Sequence, residues 1–309
     1  MARLVGAGVI CFSRDEAGRI RLLLGREREV LGWRQGSRKW STFSGRAEEG
    51  ESAARTAARE FLEETCGSAS LDGGTGEEGE EALHRTLLGA PMVERTLQND
   101  RGALLSHVTF LCQVPFDPAV SARFSRTRHE LLSLDAVFRD YYHIKKKAET
   151  LTRLVTPGFQ LATGVVTTNF QLEEPDVLQL ECRGETGDVT DVTLRLSPDA
   201  FSDARRLHCS WRRVQSFVRQ HGAEPIFSHP AVCVTRHAGE LTAAYVNKAF
   251  LEKTELAWWD LAELERLGRE RWRGGDEFRR YFLDNLRFIA PQIRALSGNW
   301  SSEEALVNA

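Results

Sequence analysis

The alternation of apolar and polar positions opens with two short strand-like runs, "LVGAGVICFS" and "IRLLLGRE". The polar turn "RDEAGR", with Gly18, lies between them and predicts a hairpin. "VLGWRQGSRKWSTFSG" reads as a loop ending in a short strand. From about Glu51 to Glu64 the spacing becomes helical, with Ala53, Ala54, Ala57, Ala58 and Phe61 as the buried stripe. "SASLDGGTGEEGEEALHR" is acidic, Gly-rich and poor in apolar residues, so a flexible surface loop is expected there, its acidic part at 72–81. "GAPMVERTL" and "LLSHVTFLCQVPF" return to strand character.

Beyond Pro118 the texture changes. "RHELLSLDAVFRDYYHIKKKAETLTRLV" predicts a basic helix, broken by Pro157-Gly158. "VLQLECRG" and "DVTDVTLRLS" predict a second hairpin. "DARRLHCSWRRVQSFVRQHG" predicts an amphipathic helix, with Leu207, Trp211, Val214 and Val218 on one face. "PAVCVTRH" and "LTAAYVNKAFL" resemble strands again, and the last helices include "DLAELERLGRERW" and "EFRRYFLDNLRFIAPQI".

Composition narrows the classes. At 309 residues, with 41% hydrophobic and 28% charged, the chain has a globular composition and suffices for one large domain or two ordinary ones. A formal net charge of −3 supplies no global field for nucleic acid or anionic membrane, so a polyanionic ligand would need a local patch or a metal. Six scattered cysteines, without a CxxC pair, fit reduced thiols in a cytoplasmic or nuclear protein. The run from Val5 to Phe12 is too short for a membrane span.

Candidate chemistry concentrates in "GRAEEGESAARTAAREFLEETCG", residues 45–67. Glu60, Glu63 and Glu64 fall at i, i+3 and i+4, which places three carboxylates on one helix side, roughly 5–6 Å apart at Cβ. Crowded carboxylates repel, and hard divalent cations that prefer oxygen ligands relieve the repulsion. A bare Glu-rich helix is ordinarily a solvated face. Here Arg59, Glu51 at the helix start, and the loop glycines Gly45 and Gly50 complete a more specific constellation.

That constellation resembles the signature of the Nudix hydrolases. Gly45, Glu51, Arg59, Glu60, Phe61, Glu63 and Glu64 occupy its positions in register. One departure follows: the family's helix-ending glycine is preceded here by Thr65 and Cys66 and arrives as Gly67, which should alter the exit path from the helix. "GAGVICF", "LLLGRER" and "KWSTFSG" are similar to the family's early strands, and "EKTELAWWDLAELE" with "EFRRYFLDNL" to its closing strand and helices.

The resemblance implies an α+β fold, a Nudix-type α/β/α sandwich with a mixed sheet and an inserted α+β subdomain. Residues 1–117 would form the N-terminal part, with the box helix at 51–64; 118–225 the insertion; and 226–309 the C-terminal part. It also implies a metal-dependent pyrophosphohydrolase that cleaves a phosphoanhydride in a nucleoside diphosphate linked to another moiety. Mg²⁺ or Mn²⁺ would be held by Glu60, Glu63 and Glu64 with the Gly45 carbonyl. Arg59 would brace the carboxylates through an ion pair with Glu51. The catalytic base varies within the family; Glu255 is the first choice, followed by Glu94 and Glu130.

The substrate is open between soluble nucleotides, dinucleotide polyphosphates among them, and 5′-capped RNA. Trp33 is a candidate stacking position, and Lys145, Lys146 and Lys147 are phosphate contacts for RNA or an inositol polyphosphate if they are more than a solvated face. Five arginines around Trp211 form a second basic feature. Trp40 reads as structural, and of Trp258 and Trp259 one should be buried and the other partly exposed. His107, His129 and His143 lack metal-ligand spacing. The competing reading is a catalytically inactive Nudix-fold module that binds RNA or protein.

Overall fold

A computed structural model describes residues 2–71, 79–98, 102–155, 166–173, 177–183, 189–195, 229–237, 240–270 and 277–298. The chain divides into two units, Met1–Leu131 with Asn247–Ala309, and Leu132–Val246. The predicted helix at 203–222, with Trp211, and the 72–78 stretch lie outside the described residues.

The first unit is built on a seven-stranded sheet in the order β12-β2-β1-β6-β5. Its strands are β1 (Arg3–Arg14), β2 (Ile20–Glu27), β5 (Met92–Gln98), β6 (Leu104–Gln113) and β12 (Lys253–Asp260), with β3 (Trp40–Ser41) on β2 and β4 (Phe43–Arg46) on β1. β1 and β6 run parallel and the other pairs antiparallel, so the sheet is mixed. Gly6 to Ser13 are all buried, as expected for a central strand covered on both faces.

One cover consists of α4 (Leu261–Arg269) and α5 (Arg280–Gly298). Leu261, Leu264, Phe282, Leu286 and Ile289 pack there with Ile10, Phe12, Leu22 and Leu24 of the sheet. The other cover is α1 (Ala53–Thr65), whose Phe61 meets Phe43 of β4 edge-on at 5.3 Å. Sheet and helices together form the expected mixed α/β/α arrangement.

Trp40 is buried and packs edge-on against Trp259, with ring centroids 5.5 Å apart. Trp258 and Trp259 depart from the expectation of one buried and one partly exposed ring only in that neither is fully buried; both are half-buried. Trp259 lies against Trp40 and Phe278, while Trp258 lies against Phe116 and donates its indole N–H to the Asp117 carbonyl at 2.8 Å. Both faces of this edge strand are thus covered.

The supposed loop after the box is also corrected, because Glu80–Leu88 form a helix, α2. Leu83 and Leu87, one turn apart, are buried, and Arg55 of α1 pairs with both Glu80 and Glu81. Two apolar residues at i and i+4 suffice once a neighbouring helix covers them.

The second unit contains the three-stranded antiparallel sheet β7 (Val166–Glu173), β8 (Val177–Arg183) and β9 (Val189–Arg195), and the hairpin β10 (Val232–His237) with β11 (Glu240–Val246). The basic helix α3 spans Val120–Val155, its residues up to Leu131 belonging to the first unit.

Candidate active site

The site starts from β4. It pairs with β1 through Gly6↔Arg46, Ala7↔Gly45, Gly8↔Ser44 and Val9↔Phe43. The approach is close: a Cβ on Gly8 would stand 2.4 Å from the Phe43 carbonyl oxygen. β4 then leads into α1, whose N-cap is Ser52, its side chain accepting from the Arg55 N–H at 3.2 Å. Glu51 therefore stands just ahead of the helix rather than within it.

Arg59 organises the carboxylates. Its guanidinium grips Glu51 through two bonds (2.9 and 3.0 Å), reaches Glu60 at 2.7 Å and Glu63 at 3.3 Å, and donates to the Arg46 carbonyl at 3.0 Å. Two parallel N–H···O bonds form the strong, planar mode of guanidinium recognition. They hold the Glu51 carboxyl down at about 2. Glu51 also accepts from Thr56 and from the Glu48 N–H. This pairing gives the box loop a fixed geometry.

Three carboxylates share that one guanidinium, and the acids beyond Glu51 are strained electrostatically. Burial raises the Glu60 carboxyl despite Arg59. Burial, with the neighbouring Glu60 charge against the pull of Arg59, raises Glu63 to about 7. Glu252, in the turn before β12, adds its negative charge to both. Sequence reasoning missed Glu252; it stands only three positions before the favoured Glu255, with nothing in the pattern to separate them.

Gly45 is required by Glu60. A Cβ there would come 2.0 Å from the Glu60 carboxyl carbon, so the side chain of Glu60 lies in the space that glycine vacates.

Glu64 faces another way. It is buried, accepts from the Ser44 N–H at 2.8 Å, and pairs with the fully buried Lys253 at 2.9 Å. Lys253 also donates to Glu27 at 2.6 Å and Ser41 at 2.9 Å, and Arg279 reaches Glu27 at 3.2 Å. Burial works against the ammonium, but Glu64 and Glu27 together hold Lys253 protonated. The sequence reading missed this lysine. Its one signal is a charge placed among apolar strand positions in "LEKTELAWW".

Other sequence-selected residues are more dispersed. Glu255 is exposed and paired with Arg26 at 2.9 Å across β12 and β2. Glu94 and Glu130 are exposed, on β5 and α3. Trp33 is half-buried, with the Arg279 guanidinium 5.2 Å from its ring centroid. Lys145, Lys146 and Lys147 fall on α3, but their side chains lie outside the described residues.

The helix exit differs from its sequence reading. The left-handed cap is not displaced to Gly67; Cys66 adopts it, with φ 52° and ψ 32°, and Gly67 follows at φ 64°. The amides of Cys66 and Gly67 close the last turn on the Glu63 and Leu62 carbonyls. The Cys66 thiol is buried and donates to the Phe250 carbonyl at 2.9 Å, which helps offset about 1 kcal/mol of left-handed strain.

Among the described residues, no three His, Cys, Asp or Glu side chains converge as a ready metal shell. The box acids close on Arg59 and Lys253 instead. The chemistry of Glu60, Glu63 and the Gly45 carbonyl nevertheless fits a hard divalent cation. These are oxygen donors, the two acids are raised by burial and by neighbouring carboxylate charge, and the glycine space already admits Glu60.

Residues 3–88 match the family model described as NUDIX domain, and this part of the chain is a Nudix domain. No curated protein matches the sequence. Similar solved structures include an Ap4A hydrolase binary complex from C. elegans, at 20% identity over 37% of this chain and 66% of that one, with TM-score 0.23. A NUDIX hydrolase from Nitrosomonas europaea shares 21% identity over 38% and 63%, with TM-score 0.22. A bifunctional NMN adenylyltransferase/ADP ribose pyrophosphatase from Francisella tularensis, complexed with AMP and Mn ion, shares 17% over 37% and 28%, with TM-score 0.22. The chain thus spans less than two thirds of the length of these relatives. Among the described residues no helix is long and apolar enough to cross a membrane.

Proposed function

We propose that this protein is a Mg²⁺- or Mn²⁺-dependent pyrophosphohydrolase that cleaves a phosphoanhydride in a nucleoside diphosphate linked to another moiety. The observation that carries the reading is the Arg59 cluster. One guanidinium fixes Glu51 and leaves Glu60 and Glu63 half-neutralised beside Gly45.

Glu60, Glu63 and the Gly45 carbonyl would hold the cation. When bound, it would offset phosphate charge and lower the pKa of an attacking water. Arg59 keeps the carboxylates oriented, Glu51 keeps Arg59 in place, and Ser44 fixes β4 to α1 through Glu64. Glu252 is better suited than Glu255 as the base that accepts the water's proton, because its charge is felt at Glu60 and Glu63. Trp33 is a stacking surface for a base. Lys145, Lys146 and Lys147 would contact the phosphates of RNA or of an inositol polyphosphate, so 5′-capped RNA stands beside nucleotide and dinucleotide polyphosphates as a substrate class.

The test is a product assay by mass spectrometry with Mg²⁺ or Mn²⁺, run with native protein, Glu63→Gln and Glu252→Gln. The panel holds capped RNA, dinucleotide polyphosphates, ADP-ribose, nucleotide sugars and diphosphoinositol phosphates. The expected result is metal-dependent cleavage of one class, lowered at least ~100-fold in either variant. Equal turnover in native protein and Glu63→Gln would sink the proposal. Binding of a panel member without cleavage would favour an inactive module.

A further inference from the structure

Building on that metal-dependent reading, we infer that Lys253 is an internal counter-cation that withholds Glu64 from the metal-binding set. The divalent ion then falls to Glu60 and Glu63 with the Gly45 carbonyl.

The geometry around Lys253 is saturated. An ammonium has three donors, and here they meet three acceptors: Glu27 at 2.6 Å, Ser41 at 2.9 Å and Glu64 at 2.9 Å. The Ser41 hydroxyl accepts from Lys253 and donates to Glu27 at 2.7 Å, which closes a ring of partners. Glu64 is equally committed, one oxygen to Lys253 and the other to the Ser44 N–H. Backbone pairing fixes the lysine itself. Lys253 lies opposite Glu27 in the β12–β2 register, and its carbonyl accepts from Arg128 at 2.7 Å.

Position separates Glu64 from its neighbours. The Lys253 side chain has 0% exposure and that of Glu64 5%, whereas Glu60, Glu63 and Arg59 retain 14%, 13% and 16%. A divalent ion on Glu64 would stand beside a buried ammonium with no solvent to screen the two charges. On Glu60 and Glu63 it would meet Arg59, which is partly exposed and retains its two bonds to Glu51. Of the three box acids, two can change partner at low cost and one cannot.

The experiment counts bound ions on the full chain, by Mn²⁺ titration with the free ion read by electron paramagnetic resonance. Circular dichroism on each variant confirms folding. Native protein and Glu64→Gln are expected to take up the same number of ions, with affinities within about threefold, while Glu63→Gln weakens binding at least ~10-fold. The paired variant Lys253→Met with Glu27→Gln removes the ammonium together with one of its two carboxylates. It should bind one additional ion through the released Glu64.

Loss of an ion, or of ~10-fold in affinity, in folded Glu64→Gln overturns the inference and leaves the hydrolase proposal standing. An unchanged ion count in the folded paired variant also overturns it. Should the paired variant fail to fold, Glu64→Gln beside Glu63→Gln still decides. A native protein that takes up no Mn²⁺ would overturn the metal-dependent reading and this inference with it.

Discussion

Gly45 does at the scale of one residue what no other amino acid would allow, because the Glu60 carboxyl occupies the volume of its absent side chain. A methyl group there would press on the far end of a flexible side chain rather than on backbone. Gly45→Ala should therefore fold with little change in melting temperature but bind Mn²⁺ about 10- to 100-fold more weakly. Isothermal titration beside a thermal melt checks this, and an unchanged affinity would remove Glu60 from the ion's neighbourhood. The Gly45, Glu51, Arg59 and Glu60 relationship was legible in the chain, since all four lie within one loop and one helix whose spacing brings them together. Lys253 was not. Its meaning comes from Glu27, 226 residues away, and no local pattern encodes a contact at that separation. Cys66 was misread for a different reason: a glycine was expected to be needed for left-handed backbone, and a buried thiol with its own acceptor made another residue tolerable.

At the scale of elements, the box helix depends on its neighbours. α1 is short, with its stripe of Ala57, Ala58 and Phe61 buried against the sheet, and α2 covers part of its outer side. Leu83 is the anchor of α2, essentially fully buried. Leu83→Ala should cost about 2–5 kcal/mol in a urea melt and leave Mn²⁺ affinity per folded molecule unchanged. A lost affinity at full folding would mean that α2 shapes the ion site directly. Most strands could be read because their apolar runs are bounded by turn residues, as in "IRLLLGRE" after Gly18. α2 escaped the sequence reading because its acidic, Gly-rich approach dominates the composition of that window. Only two leucines mark its inner face, too few to outweigh the charge around them. β12 was recognised as a strand, but the depth of its first residue was not, since a lysine reads as surface until a partner is known.

At the scale of the whole molecule, buried charge sets the response to acid. His107 is half-buried, with Arg95 nearby, and both effects lower its pKa from the usual 6.5. A base whose pKa is lower in the folded state binds fewer protons folded than unfolded. Its contribution is therefore complete above about 6.5 and declines as pH falls below that value. Glu51, held at about 2 by Arg59, adds a second loss: its stabilisation is complete above its ordinary 4.5 and disappears as pH falls through about 2. Between pH 7 and 5 the urea midpoint of the native protein should thus fall relative to that of His107→Gln, while Glu63, raised to about 7 in the fold, works in the opposite sense in both proteins. Parallel curves for the two would contradict this role of His107. A last consequence concerns the order of assembly. The segment that matches the NUDIX model ends at residue 88, yet the sheet edge beside Glu27 is β12, at Lys253–Asp260. During synthesis the first strands must wait for more than half of the chain before their outer neighbour exists, with β2 exposing an unpaired edge in the interval. A nascent chain stalled ahead of β12 would be a good chaperone client and a poor ion binder, whatever its box helix had already formed.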